Sequence, residues 1–400
     1  MAHIHLAWEL GGGLGHAGRL KSLAQVLLER GHRVSLSLRD LGHTQRVLES
    51  LPAPKFQAPV WLHRTAGMPA NQASLAEILI PSGYLDASGL DGLCGGWRSL
   101  LSTLKPDLVV GDYAPTALLA ARSLGLPSAS VGIGFYSPPP GRALPNLRPW
   151  EKISAARLEA AEEHVLSTAN AVLAHHRAPL LAHACDILLG DSALLCTWPE
   201  LDHYGRTASS ADWYGPNFLA RTGTPPHWPA GSGPKVFAYL KREHAEHAAV
   251  LQALASLGCR VVCYLPEVAS GMAPPVASAN IVYARAPVSL DQAMAEADLC
   301  VCHGGEATLV QALLAGVPLL MLPMQLEQFL ICQRVDAGGA GVNSARLRGP
   351  LDWPGLVRLV LGDARFRAAA QAFAARYAGF SQHAMTAGIV EQFERQLAAR

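Results

Sequence analysis

The most constraining feature of the chain is a strand, glycine turn, helix and strand pattern across residues 299–328. An apolar run of strand length leads into the pair Gly304 and Gly305, and apolar residues then recur at helical spacing. Gly316 ends that helix, Pro318 prevents its continuation, and a second apolar strand follows. Glycines at the turn let a ligand approach the backbone N–H groups that the first helical turn leaves unpaired. Those groups and the positive end of the helix dipole favour an anion such as a diphosphate.

Polar residues flank this turn on both sides. His303 precedes the glycines as an additional donor, and the pair Glu327-Gln328 follows the second strand, where a parallel sheet places its ligand crevice. A bare His-Gly-Gly fits an ordinary turn with a core histidine equally well, so the later residues decide. The whole block resembles the nucleotide-sugar signature of family 1 glycosyltransferases, which is His-Gly-Gly-x-Gly-Thr, a helix, Gly-Val-Pro and a late Asp-Gln.

The resemblance implies a role for each matching residue. His303, Gly305 and Thr308 are expected to contact the diphosphate, with Gly304 and Glu306 in the same turn. Glu327 and Gln328 are expected to hydrogen-bond the hydroxyls of the donor sugar. Three residues depart from the family pattern, since Ala307 stands where glycine or asparagine is common, Glu327 replaces aspartate, and Glu306 brings a carboxylate close to an anion site. If the Glu306 side chain points to solvent, its carboxylate does not repel the bound anion, and its negative charge stabilises the positive N-terminal end of the helix.

A second glycine turn opens the chain. The run 3–8 predicts a strand, an amphipathic helix follows the turn and stops at Gly31, and 33–38 predicts the next strand, which together make a right-handed βαβ unit. Within it Gly13, Gly15 and Gly18 spell Gly-x-Gly-x-x-Gly, and Asp40 lies near the distance of a ribose-binding acid, as in dinucleotide-binding domains. That alternative leaves residues 299–328 unexplained and places Gly18 inside the amphipathic helix.

The other interpretation takes Gly15-His16 as the N-terminal Gly-His of the same glycosyltransferases. That resemblance implies that His16, with Gly13 and Gly15 in its loop, is the general base and that a later aspartate orients it. Asp112 matches, because it ends the apolar strand 108–111 at the carboxyl edge of a parallel sheet. Asp112 would equally suit the N-cap of the following helix, and one carboxylate can do both. A neutral imidazole can take a hydroxyl proton as the glycosidic bond forms, and a carboxylate fixes its tautomer.

A Pro- and Gly-rich stretch without periodicity divides the chain. We predict an N-terminal acceptor-binding domain over 1–215, a linker over 216–234, and a C-terminal nucleotide-sugar domain over 235–380. An alanine-rich helical stretch, 364–397, ends the chain, and its part beyond 380 is expected to pack on the first domain. The linker also resembles the Gly-Pro then Trp-Pro connection of the family. The implied fold class is α/β, a GT-B fold of two Rossmann-like domains with parallel sheets facing an interdomain cleft.

Two further positions concern the donor. The first strand of the second domain ends at Tyr239-Leu-Lys241-Arg242 where the family often has Gly-Ser or Gly-Thr, so Lys241 either places a charge on the diphosphate or faces water. Around Pro287 the family often carries an aromatic residue that stacks on the nucleobase, and this chain has none there. The base is therefore left open between uracil and thymine.

Composition narrows the remaining classes. A net charge of +1 with only 16% charged residues gives no footprint for nucleic acid. We see no transmembrane run or signal peptide, and the eight cysteines show no paired spacing, which favours reduced thiols in the cytoplasm. The pairs His175-His176 and His244 with His247 lack further ligands at recognisable spacing, so we expect no metal site.

These observations predict an inverting, metal-independent glycosyltransferase that needs no cofactor beyond a UDP- or dTDP-sugar as co-substrate. Its acceptor would be a small molecule, natural product or lipid held by aperiodic N-terminal loops across 61–97, which leaves peripheral membrane contact open. A likeness of the N-terminal turn to muramyl-type glucosaminyltransferases keeps cell-envelope acceptors in view. Two other classes share the fold, a non-hydrolysing nucleotide-sugar epimerase and a non-catalytic partner protein. Nothing in the sequence indicates the oligomeric state.

Overall fold

A computed structural model describes residues 1–210, 212–218 and 223–399 of the chain. Two compact units are present, one made of Met1–Asn217 with Ser381–Arg400 and the other of Phe218–Phe380. Residues 219–222 of the predicted linker lie outside the described residues.

The first unit is built on a six-stranded parallel sheet with strand order β3-β2-β1-β4-β5-β6. Its strands are β1 His3–Trp8, β2 Arg33–Leu38, β3 Lys55–Gln57, β4 Leu108–Asp112, β5 Ser128–Gly132 and β6 Ser192–Leu195. Its helices are α1 Leu14–Glu29, α2 Leu41–Leu48, α3 Leu75–Leu79, α4 Ala87–Leu104, α5 Pro115–Ser123, α6 Ala155–His175, α7 Asp186–Leu189 and, from the end of the chain, α15 Gln382–Ala398. Short 3-10 turns occur at Ile80–Ser82, Gly134–Tyr136, Pro199–Leu201 and Ala208–Ser210.

The central strands explain where a site can form in this unit. All six residues of β1 and all five of β4 are buried, as expected for strands covered by helices on both faces. The register pairs Trp8 with Asp112, so both strands end level with each other at the carboxyl edge of the sheet. The loops that leave β1 and β4 therefore start side by side, which is where ligands bind in such sheets.

The second unit repeats this plan with strand order β12-β11-β10-β7-β8-β9, again all parallel. Its strands are β7 Lys235–Tyr239, β8 Arg260–Tyr264, β9 Ile281–Tyr283, β10 Leu299–Cys302, β11 Leu319–Met321 and β12 Gly341–Asn343. Its helices are α8 His247–Ser256, α9 Pro266–Ala269, α10 Leu290–Glu296, α11 Glu306–Leu314, α12 Leu326–Ala337, α13 Trp353–Gly362 and α14 Ala364–Arg376, with a 3-10 turn at Ser344–Arg346. Apolar side chains from β7, β8 and β10 meet those of α8 and α13 in one core.

The stretch 364–397 is helical as expected and consists of two helices, since α14 ends at Arg376 and α15 begins after Ser381, whose hydroxyl accepts the backbone N–H of Ala384 at 3.3 Å. The expectation of loops across 61–97 is wrong, because α3 and the first half of α4 lie within this region. Tyr84 and Trp97 from this region are fully buried and serve the core.

The last helix, α15, packs against α1 in the first unit. Ile389, Val390 and Phe393 supply its buried face. Arg30 donates to Glu394 at 2.8 Å at the edge of this contact. Among the described residues, no helix combines the length and the apolar character that crossing a bilayer requires.

Candidate active site

The first unit brings His16 and Asp112 together at the carboxyl edge of its sheet. His16 lies in the first turn of α1, and its Nδ1 is 2.9 Å from Oδ1 of Asp112 at the end of β4. The Asp112 carboxyl is fully buried, whereas the His16 side chain keeps 12% exposure. Because the carboxylate can only accept, Nδ1 carries the proton and Nε2 presents a lone pair, which is the arrangement of a general base.

Asp112 does not cap the following helix. The N-cap position of α5 is Ala114, and the side chain that accepts the N–H of Thr116 there is Glu9, at 2.8 Å. The Asp112 carboxylate is instead directed to the side of α1.

Two residues that the sequence reasoning missed complete the surroundings of Asp112. Arg19 Nη1 lies 2.8 Å from Oδ2 and 3.0 Å from Oδ1 of the carboxylate, and the Tyr136 hydroxyl donates to Oδ1 at 2.6 Å. Arg19 Nη1 also donates to the Tyr136 oxygen at 2.8 Å, so the three side chains form a closed network. Burial alone would raise the pKa of Asp112, but the charges of Arg19 and His16 with the Tyr136 hydrogen bond hold that pKa below its usual range. A charged residue one turn after His16, among buried apolar positions of α1, was the signal available in the sequence.

Trp8 and Gly11 lie beside the His16 ring, whose side chain keeps 12% exposure. The indole of Trp8 stacks on the imidazole with ring centroids 5.1 Å apart. Gly11 has a φ of +78°, and a Cβ at this position would lie 2.7 Å from Nε2 of His16. A side chain at position 11 would therefore cover the atom that has to reach the acceptor.

The other N-terminal candidates take backbone roles. Gly13 is the N-cap residue of α1 with a φ of 84°, and Gly15 lies in its first turn beside His16. Asp40, the acid of the dinucleotide alternative, caps α2 by accepting the N–H of His43 at 2.8 Å. Gly18 is buried within α1. The glycine motif thus shapes the start of a helix.

The second unit forms the glycine turn expected from 299–328. Gly304 has a φ of +81° and Gly305 is the N-cap residue of α11. A Cβ on Gly304 would lie 2.3 Å from the Cys332 sulfur and 3.6 Å from Cβ of Gln328, so the turn packs directly against α12. The structure therefore brings the predicted diphosphate turn and the Glu327-Gln328 pair side by side.

His303 lies at the end of β10 and faces the turn. Its Nδ1 donates to the carbonyl of Tyr239 at 3.4 Å, and a Cβ on Gly305 would lie 3.2 Å from its Nε2. Burial, with the nearby charges of Lys241 and His244, lowers the pKa of His303 to about 4 despite the Tyr239 carbonyl. The ring is therefore neutral near pH 7 and its Nε2 is an acceptor. The expectation that His303 adds a donor holds only if the ring takes up a proton.

The other donor-site candidates lie in the first turns of α11 and α12. Thr308 is buried in the first turns of α11. Glu306 does not point to solvent, because it is 9% exposed in that same helix. Gln328 is buried, with its side-chain oxygen accepting the N–H of Met324 at 3.0 Å, while Glu327 is half-buried beside it. One oxygen of the predicted sugar-binding pair is therefore already used by the backbone.

Lys241 and Pro287 lie at the ends of β7 and β9. Lys241 is half-buried, with Nζ 5.9 Å from the ring centroid of Tyr239, and it affects the His303 ring electrostatically. Pro287 is exposed, and its carbonyl accepts the N–H of Thr224 at 2.8 Å. Lys241 is thus close enough to influence the His303 ring, whereas Pro287 shapes the backbone.

The structure gives the pair His175-His176 a partner that sequence spacing did not show. Asp91 of α4 hydrogen-bonds Nδ1 of His175 at 3.1 Å and Nε2 of His176 at 2.7 Å, and the three ligand atoms lie within 4.8 Å of one another. His244 precedes α8 and is half-buried, and burial lowers its pKa.

Both the sequence and the fold of the chain are similar to those of known glycosyltransferases. Residues 273–336, which include the glycine turn, match the glycosyltransferase family 28 C-terminal domain. The chain is 28% identical over 319 residues to a PGL/p-HBAD biosynthesis glycosyltransferase of Mycobacterium tuberculosis (strain ATCC 25177 / H37Ra), covering 72% of this chain and 71% of that protein. It is 26% identical to the zeaxanthin glucosyltransferase of Pseudescherichia vulneris, covering 87% and 88% of the two chains.

Solved structures show the same fold. The calicheamicin glycosyltransferase CalG4 superposes with a TM-score of 0.70 at 19% identity, covering 99% of this chain and 98% of that one. The glycosyltransferase VinC in complex with dTDP gives a TM-score of 0.70 at 17% identity, covering 99% and 100%. The chain is a glycosyltransferase with the GT-B fold.

For this glycosyltransferase the expected α/β fold class and family resemblance are confirmed. The dinucleotide-binding, epimerase and non-catalytic alternatives are not favoured by any of these likenesses.

Proposed function

We propose that this glycosyltransferase moves a sugar from a UDP- or dTDP-sugar to an acceptor hydroxyl in one inverting step, with His16 as general base. The observation that carries the proposal is the His16–Asp112 pair at 2.9 Å, in which the Asp112 side chain is fully buried and the His16 side chain keeps 12% exposure. As Nε2 takes the acceptor proton, the hydroxyl oxygen attacks the anomeric carbon and the bond to the diphosphate breaks. The imidazolium that forms is stabilised by Asp112.

The second unit supplies the leaving-group half of the proposal. The N-cap turn at Gly304-Gly305 offers backbone N–H groups at the positive end of α11, where the diphosphate gathers charge. Lys241 adds a cation and His303 a ring that can take up a proton. Thr308 and Glu327 would contact the diphosphate and the sugar, as the family resemblance implies.

These groups can neutralise a departing diphosphate without a metal ion, so we propose a metal-independent reaction. We also propose an acceptor with an apolar part, such as a natural product or a lipid, because the chain is similar to a zeaxanthin glucosyltransferase. Activity that survives exhaustive treatment with EDTA supports a metal-independent reaction, and activity that needs added divalent cations contradicts it.

The central test separates the base from the donor site. His16→Ala should abolish hydrolysis or transfer of a bound nucleotide sugar but leave UDP or dTDP affinity within about twofold, because His16 does not touch the diphosphate. His303→Ala should weaken nucleotide-diphosphate binding instead. His43→Ala serves as the matched control, since this exposed histidine lies outside both half-sites. A His16→Ala protein that is folded and keeps the full rate would refute the general-base role.

Two measurements complete the assignment. A panel of UDP- and dTDP-sugars, scored by thermal shift and slow hydrolysis, identifies the base and the sugar. The anomeric configuration of the product, read by proton NMR, tests inversion. Retention of configuration would contradict a one-step displacement.

A further inference from the structure

A buried cation holds the carboxylate that orients His16. Arg19 is 4% exposed and Asp112 is 0% exposed, and both carboxylate oxygens lie within 3.0 Å of one guanidinium nitrogen. His16 and Arg19 project from adjacent turns of α1, and both reach Oδ1 of the same carboxylate. The negative charge that faces His16 is therefore already shared with a permanent positive charge.

Besides Asp112 and Arg19, few charged or titratable side chains face His16 among the described residues. Among the described residues, the titratable or charged side chains that face it are Asp112 from β4, Arg19 from its own helix and Tyr136 from the 3-10 turn after β5. Tyr113 stacks on Tyr136 with centroids 4.4 Å apart, and the uncharged Trp8 stacks on the imidazole. The carboxyl of Glu9, next in sequence to Trp8, is directed to the N-terminus of α5.

We propose that Arg19 is a positioning residue that fixes Asp112 against His16 and, by compensating the charge of the carboxylate, limits how strongly Asp112 stabilises a protonated His16 ring. A bare buried carboxylate within hydrogen-bond distance stabilises an imidazolium strongly, whereas a carboxylate paired with a guanidinium does so far less. Arg19 thus favours the base form of His16 and limits how well the protonated form is stabilised. This inference rests on the proposed role of His16.

The direct readout is the titration midpoint of the His16 ring, followed by NMR of the full chain labelled at the histidine Cε1 position. The signal of His16 is assigned by its absence in His16→Gln. Arg19→Gln should move the midpoint upward by about one pH unit or more, because it leaves the Asp112 charge uncompensated. Arg19→Lys keeps the charge and Tyr136→Phe keeps both charges, so each should stay close to the wild-type midpoint. Equal midpoints in folded Arg19→Gln and wild-type protein would overturn the proposal.

A buried unpaired charge destabilises a protein, so a second comparison includes a double variant in which neither charge of the pair remains. Asp112→Asn leaves His16 facing a bare guanidinium, and adding Arg19→Gln to it removes that charge and leaves two neutral amides. The double variant should therefore show the higher midpoint of the two. Identical midpoints in the single and double variants also overturn the proposal.

The midpoint does not depend on which residue is the base, so the two hypotheses fail separately. Hydrolysis of UDP-glucose and dTDP-glucose by His16→Gln tests the base role. A midpoint that moves as expected while His16→Gln remains active refutes that role and confirms only the electrostatic effect of Arg19 on the ring. If His16 is the base and Arg19 acts on its ring as proposed, the acid limb of the pH–rate profile of Arg19→Gln should move in step with the NMR midpoint.

Discussion

Glu9 makes the stability of the first unit depend on pH in a way that one substitution can reveal. Its carboxyl is completely buried, accepts the N–H of Thr116 at 2.8 Å, and has one oxygen, Oε1, without a hydrogen-bond partner among the described residues. Burial raises the pKa of Glu9 from 4.5 to about 7, against the opposing effects of the α5 N-terminus and Arg39. The folded protein therefore holds this proton more tightly than the unfolded chain does.

The sign and size of the effect follow from that difference in pKa. Between 4.5 and about 7 the native state binds more protons at this site, so its contribution to the free energy of unfolding falls as the pH rises. At 1.36 kcal/mol per pKa unit the loss is about 3 kcal/mol, complete above pH 7. Glu9→Gln stays neutral and keeps an oxygen for the Thr116 N–H. The variant should thus gain about 3 kcal/mol relative to wild type between pH 4.5 and pH 8.

Urea denaturation at a series of pH values measures this difference through the shift in midpoint multiplied by the slope m. The difference between variant and wild type is the informative quantity, because other buried groups titrate in both proteins. His5, for example, has a pKa lowered to about 3 by burial, which favours unfolding at low pH in each. Glu49→Gln, at an exposed position, is the control and should follow wild type at every pH. A Glu9→Gln difference that is flat across this range would refute the burial argument.

Three further outcomes are expected. Gly11→Ala should reduce donor hydrolysis at least tenfold while nucleotide affinity is kept, because its Cβ would lie 2.7 Å from His16 Nε2 on a backbone with φ of +78°; unchanged turnover would contradict the assigned geometry. Gly304→Ala should lower the melting temperature and weaken dTDP binding, because the new Cβ would lie 2.3 Å from the Cys332 sulfur. Gly362→Ala is the control for the thermal shift, since a Cβ at position 362 would have no neighbouring atom within 4 Å. Binding of UDP should be accompanied by uptake of close to one proton at His303, whose pKa is about 4 in the free protein. Calorimetry repeated in buffers of different ionisation enthalpy measures this uptake. Proton uptake that persists in His303→Asn would show that another group takes up the proton.

Apolar periodicity and the positions of glycines predict most of the fold, because strands, turns and amphipathic helices are determined largely by neighbouring residues in the sequence. The buried strands β1, β4 and β10 are short apolar runs, and each is followed by a turn and an amphipathic helix, so the sequence already indicates parallel βαβ units. The contact between His16 and Asp112 was predictable for the same reason, since adjacent parallel strands end at one edge. Their catalytic roles remain proposals.

What the sequence did not reveal depends on contacts between distant residues. In the sequence Arg19 is one polar residue on a helix, and only the fold brings Asp112 of β4 and Tyr136 into contact with it. The tautomer of His303 depends on a carbonyl 64 residues away, at Tyr239. The break between α14 and α15 lies in an alanine-rich stretch whose helical propensity is high on both sides, so tertiary packing decides it.

The placement of α15 also determines the order in which the chain can fold during synthesis. The ribosome makes α1 early and α15 only after every strand of the second unit has emerged. The second unit is continuous in sequence and can complete its core as it is made, whereas the first must keep the α1 surface that receives Ile389, Val390 and Phe393 uncovered until then. During this interval the surface of α1 that receives α15 stays uncovered, although the unit that holds His16 is translated first.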